Sequence, residues 1–290
     1  MNETLRAATF IDKGGTGKTT VTAHLGVACA RQGCEVLLID LAGKQGDLAK
    51  HFGVWSRYQD RINADDAWPN ISTVFRRQWK AVAEKLGTEA VDDLILRTDE
   101  RVDIIPAHPD LDGLDNELAN VDDATDRYSR LNRFLDEYID SRRYDLVLID
   151  LPGLSNNVTY NGLWAAEQVI VTVVPGNFEA EQAEQLRDEL KEIRDTFSVN
   201  TELSMLVPNR VDQRTVLAEE YLEAFANEYQ DVIAPEYVPD SQDVRNAADT
   251  GHTAFRLSSP SKTAREARNA FVQDAKALLR RLREGSDDVR

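Results

Sequence analysis

Eight consecutive residues near the start of the chain combine two lysines, three glycines and three threonines. They are Lys13-Gly14-Gly15-Thr16-Gly17-Lys18-Thr19-Thr20. Glycines let backbone N–H groups converge on phosphate oxygens, and the second lysine can reach the β- and γ-phosphates. The hydroxyl that follows it suits Mg²⁺, and the next one can reach the α-phosphate. The run therefore predicts a loop that binds a nucleoside triphosphate.

The flanking sequence supplies the context that such a loop needs. Ala7–Ile11 is apolar and predicts a strand before the loop, and Lys18–Gln32 predicts a helix after it. A helix that begins at Lys18 adds partial positive charge where the phosphates would lie. Asp12 stands where the strict phosphate-loop pattern has glycine. A glycine-rich turn that binds nothing is the alternative.

Two aspartates each end an apolar run. Asp40 follows Val36–Ile39, and Asp150 follows Leu146–Ile149. Carboxylates at the carboxyl ends of parallel strands lie in the crevice where an α/β sheet binds its ligands. We therefore expect Asp40 and Asp150 to lie in the crevice beside the phosphate loop.

Strand and helix patterns alternate along the rest of the chain, which predicts an α/β fold with a mostly parallel twisted sheet and helices on both faces. One domain, residues 1–290, is expected, with a flexible tail at 284–290, and residues 54–100 predict two helices. Further predicted strands are Val102–Ile105, Gln168–Val174, Leu203–Val207 and Ala234–Val238. Further predicted helices are Asp126–Arg142, Glu179–Thr196, Thr215–Glu228 and Pro260–Arg283.

Composition narrows the function classes. The 290 residues include 34 Lys+Arg and 51 Asp+Glu, for a net charge of −17. Bulk electrostatic attraction to nucleic acid or anionic lipid is therefore not expected. The two cysteines form no disulfide framework, and no signal peptide is visible, so we expect a cytoplasmic protein without a membrane partner. The 25 Arg, 9 Lys and excess acid fit either a halophilic archaeal source or an ordinary acidic protein.

The loop Lys13–Thr20 resembles the deviant Walker A loop of the ParA/MinD family of P-loop ATPases. The resemblance implies a SIMIBI-type fold, ATP and Mg²⁺ as cofactors, and a homodimer that forms on ATP binding. It also implies that Lys13 reaches the partner's nucleotide, that Asp150 belongs to Walker B and that Asp40 begins switch I. Thr19, Asp40 and Asp150 are then the residues expected to hold Mg²⁺. Lys13, Lys18 and Asp40 are then the catalytic residues.

The resemblance extends to the adenine site. Asn209 and Arg210 follow a predicted strand, as the family's base-reading asparagine does, and an amide can pair with the adenine edge. Pro239 and Asp240 resemble the late loop whose backbone touches adenine. All four are therefore expected nucleotide contacts.

Switch I departs from the family pattern. The family's second aspartate is replaced by Ala42, and one residue is inserted before Gln45-Gly46. Asp47 and Gln45 are candidate substitutes for positioning water. Slow hydrolysis is expected.

The C-terminal helix bears on the partner. The resemblance favours the DNA-segregation branch, with non-specific DNA and a ParB-type protein as partners and possible association with the nucleoid. A basic stripe either contacts DNA or is a solvated helix face. Its residues are Arg265, Arg268, Lys276, Arg280 and Arg283. Two alternatives remain open: a positioning or scaffold protein with negligible turnover and a non-DNA cargo, and an amidase or ligase on a related fold.

Overall fold

The sheet is built from apolar segments that are buried on both faces. The computed structural model describes residues 4–43, 46–175, 188, 190–196, 201–212 and 214–288. Within them the strands are β1 Leu5–Thr9, β2 Val36–Asp40, β3 Leu96–Arg97, β4 Val102–Ile105, β5 Leu146–Asp150, β6 Gln168–Val173 and β7 Glu202–Pro208. They form one sheet in the order β3-β4-β2-β5-β1-β6-β7, parallel except for β3.

Helices cover both faces of this sheet. They are α1 Lys18–Ala30, α2 Asp47–His51, α3 Trp55–Asn63, α4 Ile71–Val74, α5 Trp79–Leu86, α6 Glu89–Asp92, α7 Leu111–Ala119, α8 Ala124–Tyr128, α9 Arg130–Phe134, α10 Asn157–Ala166, α11 (residues 190–196), α12 Val216–Glu228, α13 Gln242–Asp249 and α14 Lys262–Asp288. A π-helical turn spans Leu135–Ile139, and a 3₁₀ turn spans Ala254–Arg256. These parallel strands and covering helices confirm the predicted α/β class.

Alternate residues of the central strands enter two hydrophobic cores. In β2, Leu37 and Ile39 belong to one core, and Val36 and Leu38 belong to the other. Strand β1 lies between β5 and β6, so its carboxyl end opens at the middle of the sheet. The loop that follows β1 is thereby placed beside the ends of β2 and β5.

Helices α1 and α14 pack side by side on one face. Gly26 lets α1 approach the sheet, because a Cβ there would lie 2.7 Å from Leu38 Cδ2. On the other side of α1, the buried His24 ring stacks on Phe271 of α14 at 4.7 Å between centroids. The predicted apolar face of the C-terminal helix, including Phe271, Ala275, Leu278 and Leu282, is buried as expected.

Several predicted boundaries differ. Strand β1 is Leu5–Thr9 rather than Ala7–Ile11; Phe10 and Ile11 are buried between the strand and the loop. Between residues 54 and 100 there are four short helices and β3 instead of two helices. Helices α7, α10 and α13 were not predicted, and α14 continues to Asp288 where a tail was expected from residue 284. Much of the predicted helix Glu179–Thr196 lies outside the described residues.

The predicted helix Asp126–Arg142 is interrupted at Ser129. The Arg130 N–H donates to Asn161 Oδ1 at 3.1 Å, and the Ser129 hydroxyl donates to the Thr125 carbonyl at 2.5 Å. These bonds end α8 and begin α9 at Arg130. A side chain 31 residues away therefore breaks a helix that its own apolar periodicity favours.

The predicted strand Ala234–Val238 is wrong. Isolated bridges flank this segment, at Leu206↔Ile233 and Val211↔Pro239, and no continuous strand forms between them. Pro235 has no N–H to donate, which works against a continuous ladder. The segment instead runs beside β7 as an irregular cover.

Among the described residues, no helix combines the length and apolar character that a membrane crossing requires.

We expect Gly26→Val to lower the free energy of unfolding by about 1–3 kcal/mol, because the added atoms overpack the contact with Leu38. Urea unfolding measures the change. Gly113→Val is the matched control, because Gly113 lies on an exposed helix position with open space around it, and should shift stability by less than about 0.5 kcal/mol. Equal effects of the two substitutions would contradict close packing at Gly26.

Candidate nucleotide-binding site

The phosphate loop leaves the middle of the sheet and ends at the first residue of α1. Gly15 and Gly17 have φ values of 82° and 89°, in the left-handed region that favours glycine. Gly17 occupies the N-cap position of α1, so the first N–H groups of that helix face the loop. The local backbone therefore has the geometry of an anion-binding turn at a helix N-terminus.

Two side-chain hydrogen bonds tie the loop to neighbouring elements. Ser155 donates to Asp12 Oδ2 at 2.9 Å, and Thr172 of β6 donates to the Thr16 hydroxyl at 2.9 Å. Asp12, the residue that departs from the strict pattern, thus links the loop to the segment after β5. Sequence reasoning missed Ser155, because its contact joins residues 143 positions apart.

Lys18 lies inside the curve of the loop. Its ammonium donates to the carbonyls of Ile11 at 3.2 Å and Lys13 at 2.6 Å, and the residue is 8% exposed. Burial lowers the pKa of Lys18, while Asp150 and Asp12 raise it. The ammonium is therefore poised where a phosphate oxygen could replace a carbonyl as its partner.

Gly153 closes the other side of the loop. A Cβ at this position would lie 2.7 Å from Lys18 Nζ and 2.8 Å from the Lys13 carbonyl oxygen. Only glycine allows the segment after β5 to approach both lysines so closely. Sequence reasoning missed Gly153, because both of its contact partners lie in the phosphate loop, far away in the sequence.

Asp40 and Asp150 are in register on adjacent strands. They pair as Cα partners at the ends of β2 and β5, and both are fully buried. Asp40 accepts the Ala42 N–H at 2.9 Å, and Asp150 accepts hydrogen bonds from Thr19 and Thr22. The structure thus brings Thr19, Asp40 and Asp150 together, as the sequence predicted.

Burial destabilises the charged forms of both carboxylates. It raises the pKa of Asp150 to about 7, against the lowering effects of Thr19, Lys18 and Thr22. It also raises the pKa of Asp40 well above its ordinary value, and the neighbouring Asp150 adds to the rise. Ionisation of both carboxylates in one buried site has a high free-energy cost unless a cation is bound beside them.

The donor set fits a hard divalent cation. Among the described residues, neither Asp40 Oδ2 nor Asp150 Oδ2 has a hydrogen-bond partner, although both atoms are buried. Carboxylate and hydroxyl oxygens are the ligands that Mg²⁺ prefers, often with water and phosphate completing the shell. The orphaned oxygens therefore match a Mg²⁺ site beside the phosphate loop.

The predicted adenine residues also lie against the loop. Asn209 is buried and donates to the Thr16 carbonyl at 2.8 Å, and Arg210 donates to the Gly15 carbonyl at 3.2 Å. Asp240 lies 3.8 Å from Arg210 Nε, and Pro239 bridges to Val211. The structure brings the four residues together and gives Asn209 and Arg210 a loop-holding role that sequence reasoning missed.

Two residues of switch I were candidates to replace the family's second aspartate, and one of them, Asp47, lies within the described residues. Asp47 begins α2 and pairs with Lys50 at 3.0 Å, and its charge raises the pKa of both Asp40 and Asp150. Gln45 lies outside the described residues. Asp47 is therefore close enough to act electrostatically on the buried pair.

Only part of the basic stripe on the C-terminal helix is available to contact DNA. Arg268 donates to the carbonyls of Ala254 and Leu257 at 2.5 Å and 2.6 Å, so its guanidinium serves the fold. Arg280 lies 3.9 Å from Glu284, and Arg265 donates to the Pro260 carbonyl. The contacts of Arg268 favour the interpretation of the stripe as a solvated helix face whose arginine stems cover the edge of the core.

Comparison with known proteins places this geometry in a family. Residues 7–205 match the family described as AAA domain. The chromosome partitioning protein ParA of Caulobacter vibrioides is 30% identical over 240 residues, which cover 82% of each chain. The chromosome-partitioning ATPase Soj of Thermus thermophilus is 31% identical over 215 residues, which cover 74% of this chain and 73% of Soj.

A solved structure extends the likeness over nearly the whole chain. Cobyrinic acid a,c-diamide synthase from Mycobacterium smegmatis, solved with a bound ATP analog and magnesium, has a TM-score of 0.72 and 25% identity. The match covers 97% of both chains. With its phosphate loop at the end of β1 and paired carboxylates at the ends of β2 and β5, the chain belongs to the ParA/MinD family of P-loop ATPases.

Proposed function

We propose that the protein is an ATPase that binds Mg²⁺·ATP, dimerises on doing so, and acts in plasmid or chromosome partitioning. The observation that carries the proposal is the register of Asp40 and Asp150, with two orphaned buried oxygens, beside the phosphate loop. The relatives named ParA and Soj support the partitioning role.

Each residue of the site has a distinct task. The loop amides from Gly14 to Gly17 and the N-terminus of α1 receive phosphate oxygens, and Lys18 exchanges a carbonyl for the β- or γ-phosphate. Thr19, Asp40 and Asp150 hold Mg²⁺, directly or through water. When bound, Mg²⁺ neutralises charge that develops on the phosphates. Asn209, Arg210, Pro239 and Asp240 border the nucleotide at the other side of the loop.

Lys13 links catalysis to assembly. The lysine reaches the nucleotide of a second subunit, so the charge that stabilises the transferring phosphoryl group is completed only in the ATP-bound dimer. Water then attacks the γ-phosphate in line. Because Ala42 removes a carboxylate from switch I, turnover is slow and depends on stimulation by a ParB-type partner.

The surface to which the ATP-bound dimer binds is proposed to be DNA of any sequence. The protein would then lie in the cytoplasm and on the nucleoid. The charge of −17 and the structural use of Arg268 restrict the area that contacts phosphates. The second candidate function is ATP-dependent positioning of a non-DNA cargo with negligible turnover, which the replacement of Asp by Ala42 favours.

Retention of the protein on random-sequence DNA, measured with and without Mg²⁺·ATP over a salt series, tests the proposed function. We expect retention only with Mg²⁺·ATP, and an affinity that decreases as salt increases because phosphate contacts release counterions. Phosphate release is followed in the same samples. Dimers that form with ATP but do not bind DNA at any salt concentration would favour the second function. Absence of nucleotide binding would refute both proposed functions.

Lys13→Ala and Lys18→Ala should separate assembly from binding. Lys18→Ala removes a buried ammonium, so we expect ATP affinity to fall by about 2 kcal/mol or more. Lys13→Ala should change the Kd of the monomer for ATP by less than about threefold, but it should abolish ATP-dependent dimerisation. Calorimetry and sedimentation provide the two readouts. A Lys13→Ala protein that still dimerises with ATP would contradict the role across the interface.

The stability of the metal-free protein should depend on Asp150. Because its folded pKa of about 7 exceeds the ordinary 3.8, the folded state binds this proton more tightly than the unfolded chain does. The free energy of unfolding should therefore fall as the pH rises from 4 through 7, by up to about 4 kcal/mol from this group. Asp150→Asn should remove that loss and be more stable than the wild type at pH 8.

Urea unfolding in EDTA at pH 5 and pH 8 measures this dependence. Asp60→Asn is the matched control, because Asp60 is exposed on α3 and should change stability by less than about 0.5 kcal/mol. Added Mg²⁺ should stabilise the wild type and leave Asp150→Asn nearly unchanged. If the free energies of unfolding of wild type and Asp150→Asn differ by the same amount at pH 5 and pH 8, the raised pKa of Asp150 is contradicted.

A further inference from the structure

Two buried histidines meet the side of the phosphate helix at Thr20. His51 of α2 places Nε2 at 3.3 Å from the Thr20 hydroxyl oxygen, and His24 of α1 places Nδ1 at 2.7 Å from the Thr20 carbonyl oxygen. The two rings lie edge to face, 6.4 Å apart. Thr20 is the last residue of the phosphate-loop motif, so His51 contacts the proposed nucleotide site from α2, the helix that begins at Asp47 of switch I.

Carbonyl partners fix the tautomer of each ring. His51 Nδ1 lies 2.9 Å from the Asp47 carbonyl oxygen, which can only accept, so Nδ1 carries the hydrogen. In the neutral ring, His51 Nε2 is then an acceptor, and the Thr20 hydroxyl donates to it. His24 follows the same pattern, because the Ala254 N–H donates to its Nε2 at 3.0 Å.

The Thr20 hydroxyl has a single hydrogen to donate. If it turns to a phosphate oxygen of the nucleotide, His51 Nε2 loses its donor in a site where His51 is 8% exposed. A buried acceptor left without a partner costs about 1–3 kcal/mol. A proton on Nε2 removes that cost, because the imidazolium can donate to the Thr20 oxygen while Thr20 donates to the phosphate.

Charges around His51 favour that proton once an anion is near. Burial lowers the pKa of His51, whereas the carboxylates of Asp47, Glu100 and Asp249 raise it. The titratable groups whose charges act on the ring are Asp47 on its own helix, His24 on α1, Asp249 on α13 and Glu100 in the turn before β4. Three of these four groups are acidic, so added phosphate charge acts in the same direction as the carboxylates and opposes the lowering of the His51 pKa by burial.

We propose that His51 is a positioning residue for Thr20, and that nucleotide binding draws the Thr20 hydroxyl to a phosphate oxygen while His51 takes up one proton from solvent and donates it in a hydrogen bond to the same Thr20 oxygen. The inference rests on the proposed nucleotide site. It gives that site a proton-linked affinity, because a group whose pKa rises on binding makes the ligand bind more tightly as the pH falls.

Calorimetry with Mg²⁺·ADP tests the proposal, because ADP carries the α-phosphate and is not hydrolysed. Titrations in two buffers with different ionisation heats give the number of protons taken up at each pH. Between pH 8 and pH 6, the wild-type Kd should fall by about tenfold relative to that of His51→Gln, which keeps a hydrogen-bonding group but cannot titrate. Comparing the two proteins cancels the protons of ADP, Asp40 and Asp150.

His252→Gln is the matched control, because His252 is exposed and lies next to Thr253 without touching Thr20. It should take up as many protons as the wild type. Thr20→Val, which keeps the volume and removes the hydroxyl, should lose the excess proton uptake even though His51 remains. This second variant keeps the test valid if His51→Gln is poorly folded.

The outcomes separate this inference from the function on which it rests. Equal proton uptake and equal pH dependence in wild type, His51→Gln and Thr20→Val would overturn the role of His51 while leaving nucleotide binding intact. A folded wild type that takes up neither Mg²⁺·ADP nor Mg²⁺·ATP would overturn the proposed site, and the proton linkage with it.

Discussion

Two carboxylates buried side by side at the carboxyl ends of β2 and β5 are the constraint on which the rest of the site depends. A parallel sheet places Asp40 and Asp150 in register, and their surroundings raise both pKa values. Such a pair weakens the isolated fold, since each charge is disfavoured by burial and by the other. A cation between the carboxylates would offset both effects, so we expect metal binding at this site to stabilise the fold.

The phosphate loop depends on the whole fold for its shape. Contacts from Ser155, Thr172 and Asn209 reach it from three separate elements, and Gly153 lies against its lysines. Changes far along the chain can therefore alter phosphate binding without touching the loop sequence. Through the same contacts, a change in the loop on ligand binding can affect the segment after β5 and the strands β6 and β7.

The sequence was most informative where one short segment carries both structure and chemistry. Lys13–Thr20, Asp40 and Asp150 were predictable because a strand end and a helix start determine where they lie. The break at Ser129 was not, because Asn161 supplies the competing hydrogen bond from another helix. Gly153 and His51 were missed for the same reason: their partners are distant in sequence. Ala234–Val238 has β-forming residues, yet Pro235 and the packing beside β7 prevent a ladder.

That irregular segment also shields an edge of the sheet. The Leu206 N–H donates to the Val232 carbonyl at 2.8 Å, and the Ala234 N–H donates to the Leu206 carbonyl at 2.7 Å. Arg281 caps the neighbouring carbonyls of Val232 and Ile233, both at 2.9 Å. An open strand edge is a template for aggregation between chains. With these groups already engaged, this border of the sheet offers fewer free N–H and C=O groups to a strand of a second molecule.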